Sequence, residues 1–291
     1  MPFVVAMGEI LWDCFPDYRR LGGATANFIW HSRSFGLDTR LISRVGNDTD
    51  GRELRDRLQS MKLPDELVST DAEHPTGTVK VVLDPHGQPS YEIVAGVAWD
   101  HLVCGDAELA AAHRADLVCF GALAQRHPDS RRAIRQLVAA TPERAIRIFD
   151  INLRQNYYSA EVVETSLALA TVLKLNDEEL PVLAALFHLD GATEEARLRQ
   201  LLVKFELNWI VYTRGAHGSL LLNRETTWDH PGYPCRVTDS VGAGDSFTAT
   251  VGAGLLKGWN PEVINDRANR VAAFVCSQPG ATPVLPPELL G

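Results

Sequence analysis

The chain has 291 residues, 45% of them apolar, enough to bury a sizeable core in one large α/β domain or two modest ones. Its 28 lysines and arginines against 37 aspartates and glutamates give a formal charge of −9 with no basic block, which argues against nucleic acid or an anionic membrane surface as a partner. The five cysteines, Cys14, Cys104, Cys119, Cys235 and Cys276, are odd in number and show no CxxC spacing, so neither a disulfide framework nor a zinc site is expected and the thiols read as reduced, core or near-core groups. The N-terminal apolar run lacks a basic leader region and is stopped by Glu9 and Asp13, and no apolar stretch approaches the ~20 residues that span a bilayer, so a cytoplasmic protein is expected.

In chain order, short apolar runs at Phe3–Met7, Arg40–Val45, Asp116–Phe120, Ile146–Asp150, Thr171–Leu175 and Trp209–Thr213 read as buried strands. Amphipathic segments at Ala24–Phe35, Arg52–Met61, Asp129–Ala140, Glu161–Ala170, Asp177–Phe187 and Glu194–Glu206 read as helices. The alternation predicts an α/β fold, a doubly wound and mostly parallel sheet with helices on both faces. One region departs from it. Thr76–Leu83 and Tyr91–Val94 are β-rich and separated by Asp84–Pro89, a turn composition, which predicts a hairpin with no helix between. Such a hairpin can belong to a separate sheet or to an antiparallel edge of the main one. With no internal repeat or linker, residues 1–291 are expected to form a single domain.

The segment Asp239-Ser240-Val241-Gly242-Ala243-Gly244-Asp245-Ser246-Phe247 carries most of the chemistry. Its glycines let backbone N–H groups approach an anion, and the helical pattern that follows from Ser246 to Lys257 places those groups at a positive helix terminus. A carboxylate there would repel phosphate. Asp245 makes sense chiefly as a base taking the proton of a hydroxyl about to attack that phosphate, although an Asp near a helix cap is also common.

Other motifs are individually weaker. Gly22-Gly23-Ala24-Thr25-Ala26-Asn27, with Asp13 upstream, is a tight turn with polar groups able to serve a polyol. Phe149-Asp150-Ile151-Asn152-Leu153-Arg154 ends a strand at the edge where ligands collect in open α/β sheets. The stretch Asn176-Asp177-Glu178-Glu179 has the spacing of a capping box, a reading compatible with a further role. Thr213-Arg214-Gly215-Ala216-His217-Gly218 reads as a strand-end turn, and Gln125 and Arg126 also lie just past a strand end.

Together, and in this order along Gly8 to about Gly280, these motifs resemble the ribokinase-like (PfkB) carbohydrate kinases, most closely their bacterial fructokinase-type members. The resemblance implies a ribokinase-like fold with a small antiparallel β lid, formed here by about residues 11–21 and 76–100, that covers the sugar and pairs two subunits into a homodimer. It implies an ATP-dependent kinase acting on a sugar hydroxyl, D-fructose above all. Nucleoside kinases and 2-keto-3-deoxygluconate kinases share the scaffold, and a catalytically inactive sugar-binding regulator is the competing reading from another class. A dehydrogenase is disfavoured because Phe247 stands where GxGxxG needs its last glycine.

By the resemblance, Asp245 is the catalytic base, Gly242, Ala243 and Gly244 form the anion hole, and Arg154 faces the γ-phosphate or the substrate. Asp13, Gly22, Gly23 and Asn27 would bind sugar, with Gln125 and Arg126 as further substrate contacts. Thr25 stands where the family usually has proline, which bears on the geometry of that turn. Asn176, Thr213, Gly215, Gly218, Gly244 and Asn269 would serve ATP. Glu179 would organise Mg²⁺ through water, and Asp239, with the Val241 carbonyl and the loop around Gly280, would hold K⁺.

Overall fold

The computed structural model describes residues 1–83 and 89–290. The first half of the chain comprises β1 (Phe3–Met7), β2 (Leu11–Cys14), β3 (Arg19–Gly22), α1 (Ala24–Ser34), β4 (Asp38–Gly46), α2 (Thr49–Ser60), β5 (Val68–Asp71), β6 (Thr78–Leu83), β7 (Pro89–Ile93), α3 (Asp106–Arg114), β8 (Leu117–Gly121) and α4 (Pro128–Ala139). Next come β9 (Ile146–Asp150), α5 (Ala160–Leu169), β10 (Val172–Asn176), α6 (Glu179–Phe187), α7 (Glu194–Lys204), β11 (Trp209–Thr213), β12 (Ser219–Leu222), β13 (Thr227–His230), α8 (Ala243–Lys257), α9 (Pro261–Cys276) and α10 (Pro287–Leu290).

Nine strands form the main sheet in the order β13-β12-β11-β10-β9-β8-β1-β4-β5. All neighbours are parallel except at one edge, where β12 and β13 run antiparallel. The central strands are largely apolar because both faces of the sheet are covered, whereas the edge strands β5 and β13 are polar. In β1, Val4 and Ala6 join a core with Phe28 and Ile29 of α1, Leu54 of α2, Val251 of α8 and Ile264 of α9. Val5 and Met7 point the other way, into a core with Ala111 of α3, Ile134 of α4, Val163 of α5, Leu183 of α6 and Leu198 of α7. The chain therefore winds in both directions from β1, and the β1/β8 boundary is the switch point where open α/β sheets leave a crevice at the strand ends.

The small sheet is separate, in the order β3-β2-β6-β7. Its two hairpins, β2–β3 and β6–β7, are antiparallel, but β2 meets β6 in a parallel pair, so the lid is mixed rather than antiparallel throughout. The turn expected at Asp84–Pro89 lies, through Gln88, outside the described residues. Residues 98–100, expected as part of the lid, belong instead to a short 3-10 turn on the body, Ala98–His101, with Trp99 fully buried. The expected core or near-core cysteines include one exception, Cys235, which is exposed. No helix among the described residues is long and apolar enough to cross a membrane.

Candidate active site

The chain leaves β1 through Gly8 and places Glu9 at the switch point, buried at 5% exposure, where one carboxyl oxygen accepts the N–H of Ala24 at the start of α1 (3.1 Å). Gly23 precedes that helix at φ 109°, and a β-carbon there would lie 2.5 Å from the Glu9 carbonyl oxygen, so the second glycine of the pair is required by both conformation and contact. Asp13 on β2 lies against Gly22, and Asn27 projects from the first turn of α1.

Asp245 comes from the first turn of α8. That helix opens on Gly242 in the left-handed conformation (φ 81°), with no side chain capping its N-terminus. A β-carbon on Gly242 would meet backbone and side-chain atoms of Ala281 at 2.6–2.7 Å, which fixes the turn; the Ala243 N–H donates to the Ser240 carbonyl at a long 3.4 Å, and no side chain caps the N–H groups that follow. Asn27 Nδ2 donates to Asp245 Oδ2 at 2.8 Å, a contact across 218 residues that joins the glycine-pair motif to the C-terminal one. The other amide atom, Asn27 Oδ1, is buried without a hydrogen-bond partner among the described residues. A hydroxyl donor arriving beside Asp245 would satisfy it.

The electrostatics suit proton transfer. Burial, reinforced by the negative charge of Asp150, pushes the Asp245 carboxyl up to about 6, against the Asn27 hydrogen bond and the positive charges of Lys174 and Arg154. Burial likewise pushes Glu9 to about 7 and Asp13 to about 6. Arg154, exposed at the cleft mouth, lowers all three. A carboxyl raised toward neutrality but still mostly ionised at pH 7 is a competent general base.

Beneath the α8 terminus lies a buried ion pair that sequence reasoning did not single out. Lys174 Nζ on β10 is 3.1 Å from Asp150 Oδ1 on β9, and a β-carbon on Gly244 would come within 3.2 Å of that ammonium. Thr248 Oγ1 of α8 donates to the other oxygen of Asp150 at 2.8 Å. Lys174 is thus a buried cation lying directly beneath the N-terminus of α8. Its sequence signal was a lysine inside an otherwise apolar strand, a position rarely left unpaired.

Asn176 and Glu179 form the reciprocal capping box: Asn176 Oδ1 accepts the Glu179 N–H at 2.9 Å, and Glu179 Oε2 accepts the Asn176 N–H at 2.8 Å. The remaining Glu179 oxygen accepts the N–H of Leu153 at 2.8 Å, so this carboxyl ties the loop after β10 to the Asn152–Arg154 loop. Asn152 adopts a left-handed φ of 40° there, which asparagine tolerates. Each Glu179 oxygen accepts one N–H and keeps a further lone pair, on which it can hold a water of a bound metal.

Thr213, Gly215 and Gly218 surround the turn between β11 and β12, farther along the same strand-end edge. Gly218 has φ 79°, and a β-carbon would collide with the His230 carbonyl. Asn269 is held inside α9, donating to Ser219 Oγ at 2.7 Å and to the Asn265 carbonyl at 2.8 Å.

Three expectations meet a different arrangement. Gln125 is fully buried and turned into the core, its amide donating to the Gly121 carbonyl and Ser166 Oγ, each at 2.9 Å, rather than facing the cleft. Arg126 is sealed in an ion pair with Asp100 (2.7 and 2.9 Å), donates to the Val94 carbonyl at 2.6 Å, and lies over the Trp99 ring at 4.0 Å. It anchors the exit of the lid instead of lining the pocket, because an ideal carboxylate partner and an aromatic face are both within reach. Asp239 is already bound: Arg20 Nη1 of β3 donates to it at 2.8 Å, and the N–H groups of Val241 and Gly280 donate at 3.0 and 3.2 Å. A guanidinium from the lid thus sits on the carboxylate expected to hold K⁺.

The pattern of the pfkB family carbohydrate kinases matches residues 17–288. The chain is 30% identical to a fructokinase of Klebsiella pneumoniae over 86% of this chain and 83% of that protein. It is 25% identical to an aminoimidazole riboside kinase of Salmonella typhimurium over 97% of this chain and 92% of that protein. A fructokinase double mutant from Vibrio cholerae O395, solved with fructose, ADP and potassium ion bound, superposes with a TM-score of 0.84 at 25% identity, covering 100% of this chain and 97% of that one. Matched over nearly its whole length, the chain belongs to the pfkB family carbohydrate kinases.

Proposed function

We propose that the protein transfers the γ-phosphoryl group of ATP to a hydroxyl of D-fructose. The observation that carries this reading is the 2.8 Å bond from Asn27 to Asp245, which brings a polyol-binding amide and a base of raised pKa together at an open helix N-terminus. The sugar would lie among Asp13, Gly23 and Asn27, under the lid. Asp245 would remove the proton of the attacking hydroxyl while the N–H groups of Gly242, Ala243 and Gly244 receive charge on the transferring group. ATP would extend from that terminus toward Thr213, Gly215, Gly218 and Asn269. Mg²⁺ would neutralise phosphate charge, with Glu179 holding one of its waters. The fructokinase relatives support fructose. The Arg154 guanidinium at the mouth keeps an acidic sugar such as 2-keto-3-deoxygluconate as a second reading, and the riboside kinase relative keeps a nucleoside. ATP consumption over fructose, ribose, adenosine, inosine and 2-keto-3-deoxygluconate decides: fructose should give the highest kcat/KM, and turnover of none of the five would point instead to a sugar-binding regulator.

A monovalent cation at Asp239, with the Val241 carbonyl and the Gly280 loop, belongs to the same proposal, but here it must displace Arg20. K⁺ should therefore raise kcat/KM, relative to an equal concentration of tetramethylammonium, more strongly in Arg20→Met than in the unmodified enzyme. Identical values in both salts for both proteins would leave Asp239 a structural residue of the loop. We assign a cytoplasmic location and a homodimer to the enzyme, with the outer face of the lid against a second copy; a monomer by light scattering at micromolar concentration would overturn the dimer.

A further inference from the structure

Three histidines stack at the root of the lid. The rings of His74 and His101 lie 3.7 Å apart at 16°, and those of His101 and His127 lie 4.3 Å apart. Asp129, in the first turn of α4, faces two of them: its Oδ2 is 2.9 Å from His101 Nδ1 and 3.6 Å from His127 Nδ1. We propose that His101, His127 and Asp129 form a binding site for a divalent transition-metal ion, Zn²⁺ in the first instance, that braces the exit of the lid against the start of α4.

The spacing suits an ion. Ligands about 2.1 Å from tetrahedral zinc lie about 3.4 Å from one another, and the two measured separations straddle that value. One ligand atom from each residue lies within 4.8 Å of the others, so a small rotation of the rings completes the triangle. Two imidazoles and one carboxylate select zinc, nickel or copper over Mg²⁺ or Ca²⁺, which favour all-oxygen ligand sets. The side chains remain partly exposed, at 17% for His101, 40% for His127 and 46% for Asp129, so an ion can enter and keep a water in its fourth position.

His101 is the best fixed of the three. Its carbonyl accepts Arg44 Nη1 at 2.6 Å, while Arg44 and His74 both hold Asp71 at 3.2 Å, so the ring of His74 backs that of His101. Such outer contacts orient ligands. Against binding stand the positive end of α4, Arg132, 3.7 Å from the other oxygen of Asp129, and the Asp129 N–H, which His127 Nδ1 accepts at 3.4 Å as the cap of α4 and which an ion on that nitrogen would displace. They weaken the site. The location gives the ion a consequence, since residue 100 is paired with residue 126 and the ligands directly follow these two positions in the chain. A bound ion would fasten both sides of the Asp100–Arg126 bridge.

Calorimetric titration of the untagged full chain with ZnCl₂, beside MgCl₂, tests this. One Zn²⁺ per chain, a rise in Tm reversed by EDTA and no heat from Mg²⁺ are expected. His127→Ala and Asp129→Asn should each weaken binding at least tenfold, whereas His188→Ala, outside the cluster, should not, and Arg132→Gln should tighten it. Absence of saturable Zn²⁺ binding, or binding unchanged in both cluster variants, overturns the proposal. Retention of sugar-kinase turnover by the variants, or of native circular dichroism should the substrate reading fail, separates loss of the site from loss of the fold.

Discussion

Asp245→Asn should lower kcat by roughly 10²–10⁴-fold with smaller effects on the affinities for ATP and sugar, because the amide keeps an oxygen for the Asn27 hydrogen bond but cannot take a proton. The pH profile provides the sharper signature. The active form is the carboxylate, and burial has moved its pKa up to about 6. Activity should accordingly rise tenfold per pH unit below about 6 and level off above it, far from the range of an exposed aspartate. Glu9, pushed to about 7 and raised in part by the charge of Asp245, titrates against the same group, so the apparent value belongs to both. Glu9→Gln should nonetheless leave the inflection near about 6, because Glu9, pushed to about 7, is still largely neutral while Asp245 loses its proton. Steady-state kinetics between about pH 5 and pH 8 would check both, and a near-normal kcat for Asp245→Asn would remove it as the base.

The parts of this site that were legible in the sequence are those whose chemistry is local. Gly242, Gly244 and Asp245 lie within four consecutive positions, and the helix that follows them announces itself by its own pattern, so turn, dipole and base could be read together. The glycine pair before α1 and the strand-end polar groups were legible for the same reason. The strands of the parallel sheet were also visible because burial on both faces makes them continuous apolar runs, whereas the short polar edge strands β5 (Val-Ser-Thr-Asp) and β13 (Thr-Trp-Asp-His) carry no such signal. Partnership was not legible. Nothing in the sequence states that Arg20 meets Asp239 across 219 positions, or that Arg126 finds Asp100 before it finds a substrate. The same strand-end rule that suggested Gln125 as a substrate contact applied to Glu9, which does reach the pocket. Which residue turns inward depends on the 3-10 turn at Leu123–Gln125, a tertiary detail.

Lys174→Met should have the largest effect on stability. The lysine is buried at 6% exposure, and its ammonium is 3.1 Å from Asp150 and lowers the pKa values of Glu179 and Asp245. Methionine fills a similar volume, so the cost is electrostatic rather than a cavity: Asp150 keeps the Thr248 hydroxyl but loses its counter-charge, and breaking a buried pair from one side costs about 3–5 kcal/mol. The pH dependence has a definite sign. Without the lysine, the Glu179 and Asp245 carboxyls have folded pKa values further above their unfolded ones, so the folded state binds more protons and stability falls as pH rises through that interval. Urea denaturation should therefore show a deficit that is largest near about pH 8 and shrinks toward about pH 5 as the carboxyls protonate. A structural role limited to packing would give the same loss at every pH. The variant should also be a poor kinase under conditions where it is folded, since a β-carbon on Gly244, in the proposed anion hole, would lie only 3.2 Å from the missing ammonium and Asp245 loses one of the cations that keep it ionised. An enzyme folded at pH 7 with unchanged kcat and an unmoved pH profile would show that the hole draws its field from the α8 terminus and Arg154 alone.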